Sequence, residues 1–309
     1  MQTLAAVSIG LISLLLLFPL LLHWVYRAPR VVEQSTPEQH GMPFTQHQLT
    51  GLNNKRLFAW LIPAHASRCT LVVVHGWGAN AEMMLPLAQP FHEAGMDVLL
   101  YDARNHGRSD RDSFSSLPRF AEDLDTALDW IKQRSPDHRL LVLGHSIGAA
   151  AAILAASRRD DIDLLIGLSA FAHPDLVMNR HLDRPWLPRF LRSLIMNYIQ
   201  WVIGFRFDDI APMNRIPQVR CPVLLAHGNA DRVVPISDMR LIEANANSGY
   251  PIRILAVNEA EHDSVELFQH YAGELLAFID EQLPFSSTQQ AVPNNGILTN
   301  ARRDETACG

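Results

Sequence analysis

The chain has 309 residues, of which 48% are hydrophobic, and its formal net charge is −6. This length fits one domain of roughly 250 residues with appendages, and the acidic balance gives no electrostatic reason to bind nucleic acid. The three cysteines (Cys69, Cys221 and Cys308) are far apart and lack zinc-binding spacing. Composition therefore excludes a nucleic-acid-binding protein, a disulfide scaffold and a cysteine-based zinc site.

The N-terminal segment has the composition of a membrane element. Residues 3–22 are an uncharged, predominantly apolar run of 20 residues, the length that a helix needs to cross about 30 Å of hydrocarbon. Trp24 and Tyr26 follow where an interfacial aromatic belt would lie. A cleaved signal peptide is the alternative, but it needs a basic start, a shorter apolar core and a small-residue cleavage site. We predict a single transmembrane anchor over residues 1–26.

The flanking charges predict an orientation for this anchor. Arg27 and Arg30 follow the apolar run, and no charged side chain precedes it. The positive-inside rule then predicts a single-pass membrane protein whose following domain is in the cytoplasm.

Residues 27–42 are polar, contain Pro29 and Pro37, and are predicted to be a linker. Two short alternating runs follow, over 44–50 and 56–62, and they predict a β-hairpin.

From Cys69 onward, strand-like apolar runs alternate with helical stretches. The runs cover 71–75, 97–102, 139–145, 163–169, 222–227 and 253–257, and the helical stretches cover 81–94, 116–134, 147–158, 236–247 and 263–283. Near-continuous apolar strands indicate burial on both faces, and repeated βα units predict a mostly parallel, doubly wound sheet. We predict an α/β domain over 43–284 and a disordered polar tail over 285–309.

One connection is too long for a single crossover. About fifty residues separate Ala170 from Cys221, where one crossover helix needs about half that number. Apolar residues recur inside it at helical spacing, namely Leu187, Phe190, Leu191, Leu194, Ile195, Tyr198, Trp201 and Val202. This amphipathic pattern predicts a small helical cap, over about 171–215, above the carboxyl edge of the sheet.

The predicted strand 139–145 leads into Gly144-His145-Ser146-Ile147-Gly148, and a helix of small residues follows. This is G-x-S-x-G in the order strand, sharp turn, helix, which is typical of a nucleophilic serine. The glycines are needed because side chains at 144 and 148 would clash with the neighbouring strand and helix. Ser146 is therefore the candidate nucleophile.

A nucleophilic serine needs a base and a residue that orients the base. Asp231 follows the strand 222–227, and His262 follows the strand 253–257 ahead of the last helix, in the chain order Ser, Asp, His. Asp231 could instead be only a helix cap, and Glu259 or Glu261 could hold the acid role. Asp263 fits a cap of the last helix.

An oxyanion hole needs two backbone N–H donors. The residue after the nucleophile, Ile147, is one candidate, and Trp77 in the loop His75-Gly76-Trp77-Gly78 is the other.

These segments resemble the α/β-hydrolase superfamily over about residues 43–283. The matching pieces are HGWG (75–78), DARNHGRS (102–109), GHSIG (144–148), HGNADRVVP (227–235) and EHD around His262. The closest similarity is to the lysophospholipase-like and serine-aminopeptidase-like branch. The resemblance implies that Asp102, Arg104 and His106 are structural. A serine at 146 argues against the haloalkane dehalogenase and epoxide hydrolase branches.

The prediction for function is a serine hydrolase that cleaves a carboxylic ester, lipid-like or otherwise acyl, through an acyl-enzyme on Ser146 and without cofactor or metal. An amidase, a peptidase or a thioesterase would use the same three residues. A non-catalytic membrane-tethered binding protein on the same fold is the alternative of a different class.

Overall fold

The computed structural model describes Trp24, residues 27–246 and residues 249–284. The predicted anchor, apart from Trp24, and the predicted tail over 285–309 lie outside these residues. None of the helices described has the length and apolar character to cross a membrane.

Eight strands of the described part of the chain form one sheet. They are β1 (Thr45–Thr50), β2 (Arg56–Ile62), β3 (Cys69–Val74), β4 (Asp97–Tyr101), β5 (Arg139–His145), β6 (Leu164–Leu168), β7 (Val223–Gly228) and β8 (Ile252–Val257). Their order in the sheet is β1-β2-β4-β3-β5-β6-β7-β8. Strands β3 to β8 run parallel, and β2 is antiparallel to both of its neighbours. The predicted hairpin and the mostly parallel sheet are therefore present, and the parallel strands direct their carboxyl ends to one edge.

Helices cover both faces of the sheet. They are α1 (Leu85–Glu93), α2 (Leu117–Arg134), α3 (Ile147–Ala156), α4 (Pro174–Leu182), α5 (Arg189–Ile203), α6 (Phe207–Ile210), α7 (Pro212–Arg215), α8 (Ser237–Asn245), α9 (Val265–His270) and α10 (Ala272–Gln282). Helices α2, α3 and α8 contribute to the apolar core on one face, and α1, α9 and α10 contribute to the core on the other. The predicted helix 263–283 is divided at Tyr271.

Burial along the strands follows their place in the sheet. Every residue of β3, β6 and β7 is buried, as near-continuous apolar runs predict. Strand β8 differs, since most of its residues are exposed or half-buried. It lies at the end of the strand order, and β7 is its one neighbour among the described strands.

The cap consists of α4 to α7 and follows β6. Its longest helix, α5, buries Ile195 and Met196. Phe190, Leu194 and Trp201 are exposed, although the sequence pattern places them on the same apolar face as the buried residues. The difference arises because α5 is apolar on much of its circumference, so periodicity alone does not identify the buried side.

Residues 27–36, the first part of the segment predicted to be a linker, lie along the domain surface and are called the strap below. Arg30 donates hydrogen bonds to the carbonyl oxygens of Gly107 and Ser109, both at 2.8 Å. The Ser35 hydroxyl donates to the Glu82 carboxylate, and the Glu33 side chain is fully buried. The strap is thus tied to two loops that follow β3 and β4.

Candidate active site

Ser146 lies at the turn between β5 and α3, at the carboxyl edge of the sheet. Its backbone has φ 54° and ψ −117°, a strained conformation for a residue with a side chain. Its amide donates to the Leu168 carbonyl at 2.8 Å, which ties the turn to β6. The surrounding structure therefore holds the strained turn in place and leaves the Ser146 hydroxyl available for other contacts.

The two glycines of the G-x-S-x-G turn, Gly144 and Gly148, allow neighbouring backbone segments to approach closely. A Cβ atom on Gly144 would lie 2.5 Å from the Ala149 nitrogen in α3. A Cβ atom on Gly148 would contact the Val74 carbonyl oxygen and lie 2.6 Å from that of His75. Both positions need glycine because the clashing atoms are backbone atoms that cannot rotate away.

The structure brings Ser146, His262 and Asp231 together. His262 Nε2 lies 2.9 Å from Ser146 Oγ, and His262 Nδ1 lies 2.8 Å from Asp231 Oδ2. With Asp231 ionised, Nδ1 carries the proton and donates to it, so Nε2 is free to accept the Ser146 hydroxyl proton. Three loops, after β5, β7 and β8, supply these side chains, because parallel strands end at the same edge.

Asp231 is held in its charged form. Burial raises the pKa of this carboxyl, but hydrogen bonds from His227, His262 and the Val234 amide outweigh burial and bring the pKa well below its ordinary value. Oδ1 accepts from the Val233 and Val234 amides at 2.9 and 2.8 Å. Asp231 does not cap α8, whose N-cap is Ile236.

The other acidic residues near His262 lie elsewhere. Glu259 and Glu261 are exposed and bond through their backbone amides to Asn229 and Ser264, respectively. Asp263 is exposed as well, and the N-cap of α9 is Ser264, which forms no side-chain cap bond. The expectation that Asp263 caps the last helix was therefore wrong.

His145, between Gly144 and Ser146, has a contact that the sequence reasoning did not identify. Its Nε2 donates to the His262 carbonyl at 2.8 Å, and the two rings lie 5.3 Å apart between centroids. Burial, together with the neighbouring His262 ring, lowers the His145 pKa to about 4, so this side chain is neutral at physiological pH. His145 thus fixes the backbone that carries His262, and the only sequence signal was a polar residue directly after the apolar run 140–144.

The candidate oxyanion donors belong to Trp77 and Ile147, which line the same cavity as Ser146. Ile147 is the first residue of α3, so its amide has no intrahelical acceptor. Gly76 lies against the nucleophile, since a Cβ atom there would be 3.5 Å from Ser146 Cβ. The Trp77 amide follows directly in the same loop.

Buried polar residues brace the loops around this site. His75 Nε2 accepts from the Ala103 amide at 2.9 Å, and Asp102 accepts from the amides of Ala81 and Arg108 at 2.9 and 2.7 Å. Arg104 forms ion pairs with Asp123 and Glu122, both at 2.6 Å. His106 Nδ1 donates to the Arg104 carbonyl at 2.9 Å. These contacts join the loops after β3 and β4 to helix α2.

The strap places Glu33 beside Asp102. Burial and the neighbouring Glu33 carboxyl raise the pKa of Asp102 well above its ordinary value. Both Glu33 carboxyl oxygens are buried without a hydrogen bond from the part of the chain described, although Arg108 Nε lies 3.2 Å from Oε2. A proton held between the two carboxyl groups would supply the missing hydrogen bond.

Glu33→Gln is expected to stabilise the protein at alkaline pH by about 1 kcal/mol or more. With its pKa raised, native Asp102 keeps a proton that the unfolded chain has lost, so stability falls as pH rises above about 4. Glutamine removes the like charge and can donate to the Asp102 carboxylate. Thermal unfolding from pH 4 to pH 8 measures the effect, which should be absent at the acid end.

Glu38→Gln is the matched control, because Glu38 is an exposed residue just beyond the strap. It should leave the pH dependence of stability unchanged. A lower melting temperature of Glu33→Gln throughout the pH range would contradict the shared proton.

A cavity of about 1170 Å³ extends from Ser146 and His262 beneath the cap. Its volume lies somewhat above the usual range of roughly 300–1,000 Å³ for small-molecule sites. Apolar side chains of the cap and of the facing loops form much of its lining, among them Trp77, Phe171, Val177, Met178, Leu187 and Ile199. The cavity is therefore suited to an apolar group of considerable size next to the serine.

Potential metal ligands also meet at this edge. One ligand atom from each of His145, His262 and Asp263 lies within 4.8 Å of the others. Both ring nitrogens of His262 already bond to Ser146 and Asp231, and His145 Nε2 bonds to the His262 carbonyl. These hydrogen bonds explain why the three side chains lie close together.

Comparison with known proteins agrees with the architecture. The family described as serine aminopeptidase, S33, matches residues 65–206. An uncharacterized protein of Mycobacterium tuberculosis is 31% identical over 218 residues, which cover 69% of this chain and 70% of that protein. The monoacylglycerol lipase of Mycolicibacterium smegmatis is 25% identical over 233 residues, covering 64% of this chain and 83% of the lipase.

Among solved structures, the Pyrococcus furiosus esterase Pf2001 superposes with a TM-score of 0.69 at 22% identity, covering 83% of this chain and 97% of the esterase. Fold and sequence together define a serine hydrolase with the α/β-hydrolase fold. The family that the sequence motifs predicted is therefore confirmed. The chain belongs to the α/β-hydrolase superfamily of serine hydrolases, and its residues 65–206 are similar to the family described as serine aminopeptidase, S33.

Proposed function

We propose that this hydrolase cleaves carboxylic esters through an acyl-enzyme formed on Ser146. The observation that carries the proposal is the unbroken hydrogen-bond chain from Ser146 Oγ through His262 to Asp231. A binding protein without activity would have no need of this chain or of a strained serine at its end. The geometry therefore favours catalysis over a purely binding role.

The proposed mechanism follows from the donors and acceptors. His262 Nε2 accepts the proton as Ser146 Oγ attacks the acyl carbonyl, and ionised Asp231 stabilises the imidazolium that forms. The amides of Ile147 and Trp77 donate to the oxyanion of the tetrahedral intermediate. His262 returns the proton to the leaving alcohol and then activates the water that releases the acid.

The proposed substrate class is an ester with a large apolar acyl group. The apolar lining of the 1170 Å³ cavity beside Ser146 supports it. So do the names of similar proteins, an esterase and a monoacylglycerol lipase. Amides, peptides and thioesters would use the same three side chains, and the preference for esters rests on the cavity and on these names.

Membrane attachment is a second part of the proposal. The uncharged run over 3–22 has the length of a transmembrane helix. Arg27 and Arg30 after the run favour a cytoplasmic location for the hydrolase domain.

Labelling of the full chain in detergent with a fluorophosphonate probe tests the proposed nucleophile. Intact-mass analysis should show one adduct per chain, located on Ser146 and absent from Ser146→Ala. Ser193→Ala removes an exposed hydroxyl of the cap helix α5 and should label like the wild type. A wild type that is neither labelled nor active on any ester would overturn the proposal.

An acyl-chain series tests the substrate class. The kcat/KM for p-nitrophenyl esters should rise from acetate to octanoate, because each buried methylene contributes about 0.8 kcal/mol. A preference for acetate, or faster cleavage of the matched anilides, would assign the cavity to another substrate.

A further inference from the structure

The cap carries an exposed apolar surface that the hydrolytic chemistry does not use. This surface, called the cap aromatic face, consists of Trp186, Phe190, Leu194, Trp201 and Phe205. Their exposed fractions lie between 43% and 77%. Phe190, Leu194 and Trp201 are spaced by four and seven residues, so they form one stripe along α5. Soluble monomers rarely expose a large contiguous apolar patch, and such patches mark interaction surfaces.

Between Asp183, which pairs with Arg192, and Asp208, the charges along this face are of one sign. Residues 184–206 contain four arginines and no acidic residue, in a chain whose net charge is −6. Arg184, Arg189 and Arg206 are exposed and form no ion pair with the residues that the structure describes. Aromatic and aliphatic side chains bordered by arginine are typical of helices that lie in the interface of anionic membranes.

Trp24, the first residue that the structure describes, borders the same cavity as the cap aromatic face, and this position indicates what covers the face. Trp186 lines the cavity that leads to Ser146, and Trp24 and Arg27 line the same cavity. Trp24 is 74% exposed and directly follows the part of the sequence that contains the apolar run 3–22. The cap aromatic face and Trp24, at the end of the membrane anchor proposed above, thus border one opening.

We propose that the cap aromatic face lies in the interfacial layer of an anionic lipid bilayer, with the cavity opening turned toward the lipid. A second copy of the chain is a poorer occupant, because a symmetric contact would bring two sets of unpaired arginines together. This proposal goes beyond the hydrolytic function, since docking requires no turnover. An apolar ester could then pass from the leaflet into the cavity without crossing water.

Site-directed spin labelling of the full chain tests the proposal. In a Cys308→Ser background the remaining cysteines, Cys69 and Cys221, are buried. Leu194→Cys and Trp201→Cys each carry one nitroxide on the face. Asp137→Cys is the matched control, an exposed residue in the loop before β5, at the opposite edge of the sheet. The protein is reconstituted in vesicles of three parts phosphatidylcholine to one part phosphatidylglycerol.

Power saturation measures how readily two relaxing agents reach the nitroxide. One is oxygen, which concentrates in hydrocarbon, and the other is a water-soluble nickel complex. The oxygen-to-nickel ratio at 194 and 201 is expected to exceed the ratio at 137 several-fold. Equal ratios at the three positions would overturn the proposal. Poor access of both relaxing agents at 194, together with a defined label-to-label distance between two copies, would also overturn it and would assign the face to a protein interface. Both readouts are independent of hydrolysis, so they separate this proposal from the catalytic one.

Discussion

Ser146→Ala is expected to lower kcat for ester hydrolysis by about 10⁶-fold, and Asp231→Asn by about 10⁴-fold. The double variant should be no slower than Ser146→Ala alone, because the three residues act as a unit. Steady-state kinetics of the full chain in detergent, with a p-nitrophenyl ester, measure all three values.

The loss expected for Asp231→Asn follows from the tautomer of His262. Oδ1 of Asp231 accepts the Val233 and Val234 amides, so an asparagine would keep its oxygen there and present its NH₂ group to His262 Nδ1. Nδ1 would then have to accept a hydrogen bond, and the ring proton would move to Nε2. A protonated Nε2 cannot accept the Ser146 proton, although the fold and the cavity are unchanged.

Glu261→Gln is the matched control for Asp231→Asn. Glu261 is exposed and immediately precedes His262 in the same loop. Its kcat should stay within about twofold of the wild type, since exposed charges interact weakly in water. Near-normal activity of Asp231→Asn with loss of activity in Glu261→Gln would transfer the acid role to Glu261.

Gly148→Ala is expected to lower the free energy of unfolding by at least about 3 kcal/mol, a large overpacking penalty. For a domain of this size that corresponds to a drop in melting temperature of roughly 6–12 °C. The new Cβ would contact the Val74 carbonyl and lie 2.6 Å from the His75 carbonyl oxygen, both backbone atoms at the end of β3. Relief requires α3 to move with Ser146, and a shift of about 1 Å costs on the order of 10²-fold in rate.

Gly273→Ala is the matched control for this substitution. Gly273 is also in the first turn of a helix, but no atom lies within 4 Å of its Cβ position. Alanine there should stabilise the protein by up to about 1 kcal/mol through helix propensity. Calorimetry of the two variants therefore separates the clash from any general intolerance of alanine in helices. Equal melting temperatures would contradict the clash at Gly148.

The order of strands and helices along the chain was predictable, because buried parallel strands are near-continuous apolar runs in the sequence. Near-continuous apolar runs located β3 to β7, and the G-x-S-x-G turn located the β5–α3 junction. Since parallel strands end at one edge, the residues after β5, β7 and β8 had to converge there. The meeting of Ser146, Asp231 and His262 follows from that topology.

Other features depend on tertiary contacts that leave no periodic signal. The strap has the composition of a polar linker. Its Glu33 is nevertheless buried, because Asp102 and Arg108 lie next to the Glu33 side chain. The exposed side of α5 could not be distinguished from its buried side, since both are apolar. The contact of His145 with the His262 carbonyl joins residues 117 positions apart, and local sequence does not report it.

The strap also constrains how the domain would sit on a membrane. Arg30 fixes the chain to Gly107 and Ser109, only six residues after Trp24. If the proposed anchor ends near Trp24, only five residues separate it from Arg30, and this short connection would restrict the height and tilt of the domain above the bilayer. Turnover of a bilayer ester would then follow surface-dilution kinetics, in which rate depends on the mole fraction of ester in the leaflet and on its lateral diffusion, and not on its concentration in bulk solution.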